Sequence, residues 1–176
     1  MSVGLLALRL VVGLLFMGHA SHKFFGSSHR IFGWVGGPGP KATAEWMESM
    51  DLRPGLPNVL AAATCEAVGG GLLAAGLVTP LATVLLSAVM VTALLLAHIP
   101  RFWNTDNGVE FPLLMLTAAF TLACTGPGRY SLDAVLDFHH FGWEWALGAL
   151  GLGAAGSLCV IATGRYIARG SRPHTA

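Results

Sequence analysis

The chain has 176 residues and a mass of 18.4 kDa; 54% of it is hydrophobic, 11% is charged, and the mean hydropathy is +0.65. Soluble domains carry about 25% charged residues, so the composition speaks against a soluble enzyme, a disordered chain and a nucleic-acid binder. A net charge of +1 leaves no broad electrostatic footprint for an acidic partner, and three cysteines make no disulfide framework.

A helix needs about 20 apolar residues to cross a bilayer. Five segments are expected to do so, over about residues 3–25, 56–78, 80–103, 109–124 and 143–167. The first reads as a retained span and not a cleaved leader. No basic residue precedes it, Arg9 interrupts it, and Gly18-His19-Ala20 is a poor cleavage site. Thr79-Pro80 leaves so short a turn that the second and third spans form an antiparallel hairpin, with Pro80 where a first helical turn tolerates it. Between the first two spans lies a long loop, Gly26 to Gly55, with the breaker cluster Gly36-Gly37-Pro38-Gly39-Pro40. Within it, residues 41–50 are expected to form a short helix, with Lys41, Glu45, Glu48 and Ser49 on one face and Trp46, Met47 and Met50 on the other. Such a helix lies in the membrane interface or covers the bundle.

Aromatic residues mark the span ends: Phe24, Phe25, Phe102, Trp103 and Tyr166 toward one membrane face, Trp143 and Trp145 toward the other. By span parity Lys23, Arg30, Lys41, Arg53, Arg101, Arg165, Arg169 and Arg172 share one side, and only Arg9 and Arg129 lie toward the other. The positive-inside rule then puts the long loop and the C-terminal tail in the cytoplasm. Small residues are dense: Gly69-Gly70-Gly71 in the second span, and Ala149/Gly153, Gly151/Ala155 and Gly153/Ser157 in the fifth. They allow close helix approach, and on the fifth span the spacing fits bundle packing or an oligomer or partner face.

Charged groups inside a bilayer are costly and therefore informative. Parity gathers His19, His22, Lys23, His98 and Glu110 near one face, beside Arg101, with Glu66 deeper. His19, His22 and Lys23 share one helical face at i, i+3 and i+4. A polar pocket lined by His19, His22, Lys23, Glu66, His98 and Glu110 is expected. Arg9 lies toward the opposite face, where Glu66 or Asp133 could pair with it, as a structural lock or as a proton- or ligand-handling pair. His19, His22 and His98 match no tight ligand motif, so neither metal nor haem is expected. His139-His140, near Asp137 and Glu144, reads as solvated loop. Cys65, Cys124 and Cys159 form no CxxC pair and read as small apolar fillers.

These residues together resemble the DoxX family of small membrane proteins. The resemblance lies in Leu8-Arg9-Leu10, Gly13-Leu14-Leu15-Phe16, Gly18 and Lys23 of the first span, and in Glu66 followed by Gly69-Gly70-Gly71-Leu72-Leu73 and Gly76-Leu77 of the second. It continues in Asn107-Gly108-Val109-Glu110 and in Gly126-Pro127-Gly128-Arg129-Tyr130-Ser131-Leu132-Asp133, and covers about residues 5–136. It implies a four-helix membrane bundle associated with redox chemistry: quinone-linked oxidation of sulfur compounds in some members, oxidative-stress or thiol homeostasis in others. It also implies a polar framework of Arg9, Lys23, Glu66, Glu110, Arg129 and Asp133, and work beside soluble redox enzymes. The fifth span departs from the family pattern.

The expected fold is all-α: an integral membrane four-helix bundle over residues 1–137, then a fifth transmembrane helix and basic tail over 138–176. The expected protein is a multi-pass component of a bacterial plasma membrane, in contact with lipids and with protein partners in a redox complex or a homo-oligomer. Its expected function is that of a redox-associated subunit whose pocket binds a quinone or lipid-like ligand. No covalently bound cofactor is expected, since no flavin, haem or iron–sulfur motif is present. Glu66 and His98 would exchange protons with a quinone, and Arg9 or Lys23 would orient its oxygen. The alternative is a non-catalytic scaffold for soluble redox partners. A transporter ranks last, because no inverted repeat is evident.

Overall fold

The computed structural model describes residues 2–26 and 37–170. Arg30 and Arg172 of the charge count, Gly36 of the breaker cluster, and residues 27–36 of the long loop lie outside the described residues.

Seven α-helices follow one another among the described residues: α1 Ser2–Phe24, α2 Gly39–Ser49, α3 Gly55–Ala75, α4 Thr79–Ala93, α5 Glu110–Thr125, α6 Leu132–Val135 and α7 Trp143–Gly170. A π-turn, Leu94–His98, extends α4 to 20 residues, Thr79–His98. Together with α1, α3 and α7 this makes four helices long and apolar enough to cross a membrane, while α5 is apolar but shorter.

Local chemistry explains the ends. α3 stops at Gly76, which takes the left-handed conformation at φ +64°. Gly76 N donates to Leu73 O and Leu77 N to Leu72 O, a Schellman cap that glycine adopts without a Cβ penalty. Pro80 then sits in the first turn of α4, as its missing N–H allows. The third span stops five residues short of its expected end at Trp103, because Pro100 has no N–H and holds Ile99 extended, at ψ 138°.

The core sits between α1, α3, α4 and α5, around Phe16, Leu73, Leu86 and Leu122. α1 and α3 touch backbone to backbone: a Cβ added to Gly13 would stand 2.5 Å from the carbonyl oxygen of Gly70. α7 docks on α4 and α5 through a stripe of Ala146, Ala149, Gly153, Ser157, Ile161, Gly164 and Ala168. A Cβ on Gly153 would meet Ser87 Cβ at 2.6 Å, and one on Gly164 would meet Leu52 at 2.9 Å. The Ala149–Gly153–Ser157 spacing therefore serves packing inside the chain, while Gly151 and Ala155 face outward. These contacts also run α7 along the full height of α4. It ends beside the corner between α2 and α3, so its C-terminal end and α2 lie at one end of the bundle.

α2 covers that end. Its Ala44 and Met47 pack on Leu52 and Val59. Glu48 reaches past the turn, where its Oε1 accepts a hydrogen bond from Gly55 N at 2.8 Å and satisfies a free donor at the start of α3.

Candidate functional site

Under α2 the helices border a partly open cavity of about 420 Å3, within the range of small-molecule sites. Its walls are mostly apolar. Phe16, Met90 and Met115 contribute from α1, α4 and α5, Met47 comes from α2 and Met50 from the residue that caps it. Gly156 and Val160 of α7 close one side.

A small set of polar groups converges on this apolar volume. Lys23 Nζ donates to both carboxylate oxygens of Glu66, at 2.6 and 2.8 Å. Glu66 is 2% exposed and the Lys23 side chain 18%, so the pair stands at the cavity wall with only its lysine side open. Burial makes each charge depend on the other, since an isolated ion in such a place is strongly disfavoured. The sequence places them to meet: Lys23 is in the last turn of α1, and Glu66 is about halfway along the antiparallel α3. His98 lines the cavity from the π-turn, and its Nδ1 lies 2.7 Å from Asn107 O. His19 lines it too and stacks against Phe111, with 5.6 Å between ring centroids. On the α7 side Thr92 Oγ1 donates to Ser157 Oγ at 2.8 Å.

The structure therefore brings His19, Lys23, Glu66 and His98 of the expected set to one cavity. His22 stands behind His19, with 6.2 Å between ring centroids, and is not part of the lining. Glu110 is also outside it: exposed at the start of α5, its carboxylate accepts from Asn104 N at 2.9 Å. Among the described residues no three His, Cys, Asp or Glu side chains are grouped as metal ligands would be. Sequence reasoning missed that α2 roofs the site and that Cys65, Asn58, Thr92 and Ser157 line it. The apolar face of Met47 and Met50 is the signal that pointed there.

Arg9 is at the far end of the bundle, within electrostatic reach of Asp133, one of the two carboxylates expected of it, while its hydrogen bonds go to carbonyl oxygens. It is 3% exposed. Its guanidinium donates to the carbonyl oxygens of Ala75, at 3.1 Å, and Tyr130. The last carbonyls of a helix lack intrahelical donors and carry the negative end of its dipole, so the C-terminus of α3 holds this cation directly, with the Asp133 charge close by. Asp133 does the converse. Its carboxylate accepts from Val78 N at 2.7 Å, Thr79 N at 3.2 Å and Thr79 Oγ1 at 2.8 Å, at the start of α4. Arg129 is exposed beside the Tyr130 ring, 4.7 Å from its centroid. Arg9, Tyr130 and Asp133 thus tie the α3–α4 turn to α1 and α6, away from the cavity.

No curated protein and no solved structure matches this chain. The DoxX family model matches residues 4–99, more than half of the chain. The matched stretch runs from α1 to the end of the π-turn and carries Arg9, Lys23, Glu66 and His98; α5, α6 and α7 lie beyond it. With four helices of membrane-spanning length and apolarity and this match, the chain is a small membrane protein that belongs to the DoxX family.

Proposed function

We propose that the chain is a redox-associated membrane subunit that holds a quinone in the cavity under α2. The observation that carries this reading is the Lys23–Glu66 ion pair set in the wall of an otherwise apolar space of about 420 Å3. A quinone needs an apolar volume for its ring and hydrogen-bond partners for its two oxygens. Lys23 donates to one oxygen, and Glu66 and His98 pass protons to the quinone oxygens as they are reduced. Two-electron reduction of a quinone takes up two protons and gives a quinol. A soluble redox protein supplies the electrons, and the pocket supplies the binding and the proton route. A lipid-like ligand with a hydrogen-bonding head would satisfy the same groups and is the competing occupant.

The test is titration of the purified protein with a short-chain quinone, followed by tryptophan fluorescence. Trp46 lines the cavity and reports occupancy. Saturable quenching that weakens about tenfold in Glu66→Gln or His98→Ala, roughly 1.4 kcal/mol, is expected. Unchanged binding in both variants overturns the reading. A phospholipid that quenches the same fluorescence and competes with the quinone assigns the cavity to the lipid-like ligand instead.

A further inference from the structure

A second cavity, of about 300 Å3, lies where α7 ends against the corner between α2 and α3. Met50 walls it from the first, lining both. Its other walls are Asp51, Arg165 and Arg169. Arg165 and Arg169 are one turn apart on α7, at i and i+4, so both side chains leave the helix on one face. Both are exposed, and among the described residues neither guanidinium is held in an ion pair. Asp51 is placed opposite them by the end of α2. It takes the left-handed conformation at φ +61°, its N–H donates to Glu48 O, and the N–H of Leu52 donates to Met47 O.

The depth of this cavity identifies its ligand. Arg165 follows Trp143, the start of α7, by about 33 Å of helix rise, against about 30 Å of hydrocarbon in a bilayer. Trp143 and Tyr166 are 65% and 80% exposed, as aromatic rings at the two headgroup levels would be. In a bilayer spanned from Trp143 to Tyr166, Arg165 and Arg169 would stand at the level of the lipid phosphates. On the same face, about two turns deeper, Leu158 is 57% exposed and offers an apolar surface to an acyl chain. A guanidinium fork matches phosphate geometry with paired N–H donors.

We propose that this second cavity is a phospholipid headgroup site, which takes the lipid phosphate between Arg165 and Arg169. The two arginines on one helix face favour an anionic lipid. The site is independent of any ligand in the first cavity.

Native mass spectrometry of the full chain in neutral detergent, titrated with phosphatidylglycerol, tests it. One lipid should remain bound, and the exposed double variant Arg165→Gln/Arg169→Gln should lose about tenfold in affinity. Lys41→Gln, on exposed α2, should bind as the wild type does, and circular dichroism should show all three proteins folded. Diacylglycerol, with the same tails and no phosphate, should not be retained. Equal binding by the double variant overturns the proposal. So does an equal loss in Lys41→Gln, which would mean only general surface charge. Retention of diacylglycerol overturns it in favour of tail contacts. Displacement of the lipid by millimolar inorganic phosphate overturns it in favour of a free-phosphate site.

Discussion

Gly13 of α1 and Gly70 of α3 meet with no side chain between them. A Cβ on Gly70 would lie 2.7 Å from the Gly13 carbonyl oxygen, and one on Gly13 would lie 2.5 Å from that of Gly70. This contact sets the distance between the two helices, and so the distance Lys23 must reach to Glu66. Gly70→Val should lower stability by about 1–3 kcal/mol, because the backbone on the other side cannot give way. Gly71→Ala, with nothing within 4 Å of its added Cβ, should be neutral or slightly stabilising. Thermal unfolding of the two variants in the same detergent checks the contrast.

Lys23 and Glu66 should behave as one unit. Lys23→Met leaves a carboxylate buried without its cation and should cost about 3–5 kcal/mol. Lys23→Met/Glu66→Leu removes both charges and should recover most of that loss. A double-mutant cycle read by thermal unfolding gives the coupling, and additive losses would show that the two side chains do not depend on each other.

Asp133 and Arg9 hold the opposite end. Asp133→Ala removes the acceptor of two backbone N–H groups and one hydroxyl at the start of α4, and should cost about 1–3 kcal/mol. Arg9→Met should cost a similar amount. Neither substitution should change quinone binding in whatever fraction stays folded, since both residues lie outside the cavity lining.

Gly156 offers a way to fill the first cavity. It lines the wall, and nothing lies within 4 Å of an added Cβ. Gly156→Leu should reduce quinone affinity by about tenfold, or 1.4 kcal/mol, while stability holds or rises slightly, because leucine is the better helix former. Fluorescence titration and thermal unfolding of the same sample separate the two effects.

Cys65 lies half-buried in the same wall. With Cys124 and Cys159 replaced by serine, its reaction with an apolar maleimide should slow when the cavity is occupied. A labelling rate indifferent to saturating quinone would mean that the ligand sits elsewhere.

Helix positions are legible in this sequence because apolar length and proline are strong local signals. Gly76 and Thr79-Pro80 together mark the hairpin of α3 and α4, and Pro100 explains an end that hydropathy overshoots. The site is legible in part. Spacing and parity gather His19, Lys23, Glu66 and His98, since buried charges stand out in an apolar chain. The same reasoning sends Arg9 toward Asp133, whose charge does act on it, but overlooks the carbonyls that helix ends leave free and that take its hydrogen bonds. Glu110 is drawn into the pocket by parity, whereas the exposed turn before α5 turns it to Asn104. The roof of α2 is hardest to foresee: an amphipathic helix shows which face is apolar, not which cavity that face covers.

The partners of Arg9 come late in the chain. Ala75 is 66 residues downstream and Tyr130 is 121. A first helix inserted ahead of the rest of the chain would carry a guanidinium that neither of these carbonyls yet satisfies. The α3–α4 turn provides the first carbonyl, and the second arrives only when the segment after α5 folds back. That end of the bundle is tied to α1 by residues made after it, and an N-terminal helix without them would have reason to stay near water, shallow or tilted. Order of synthesis is thus written into one buried arginine.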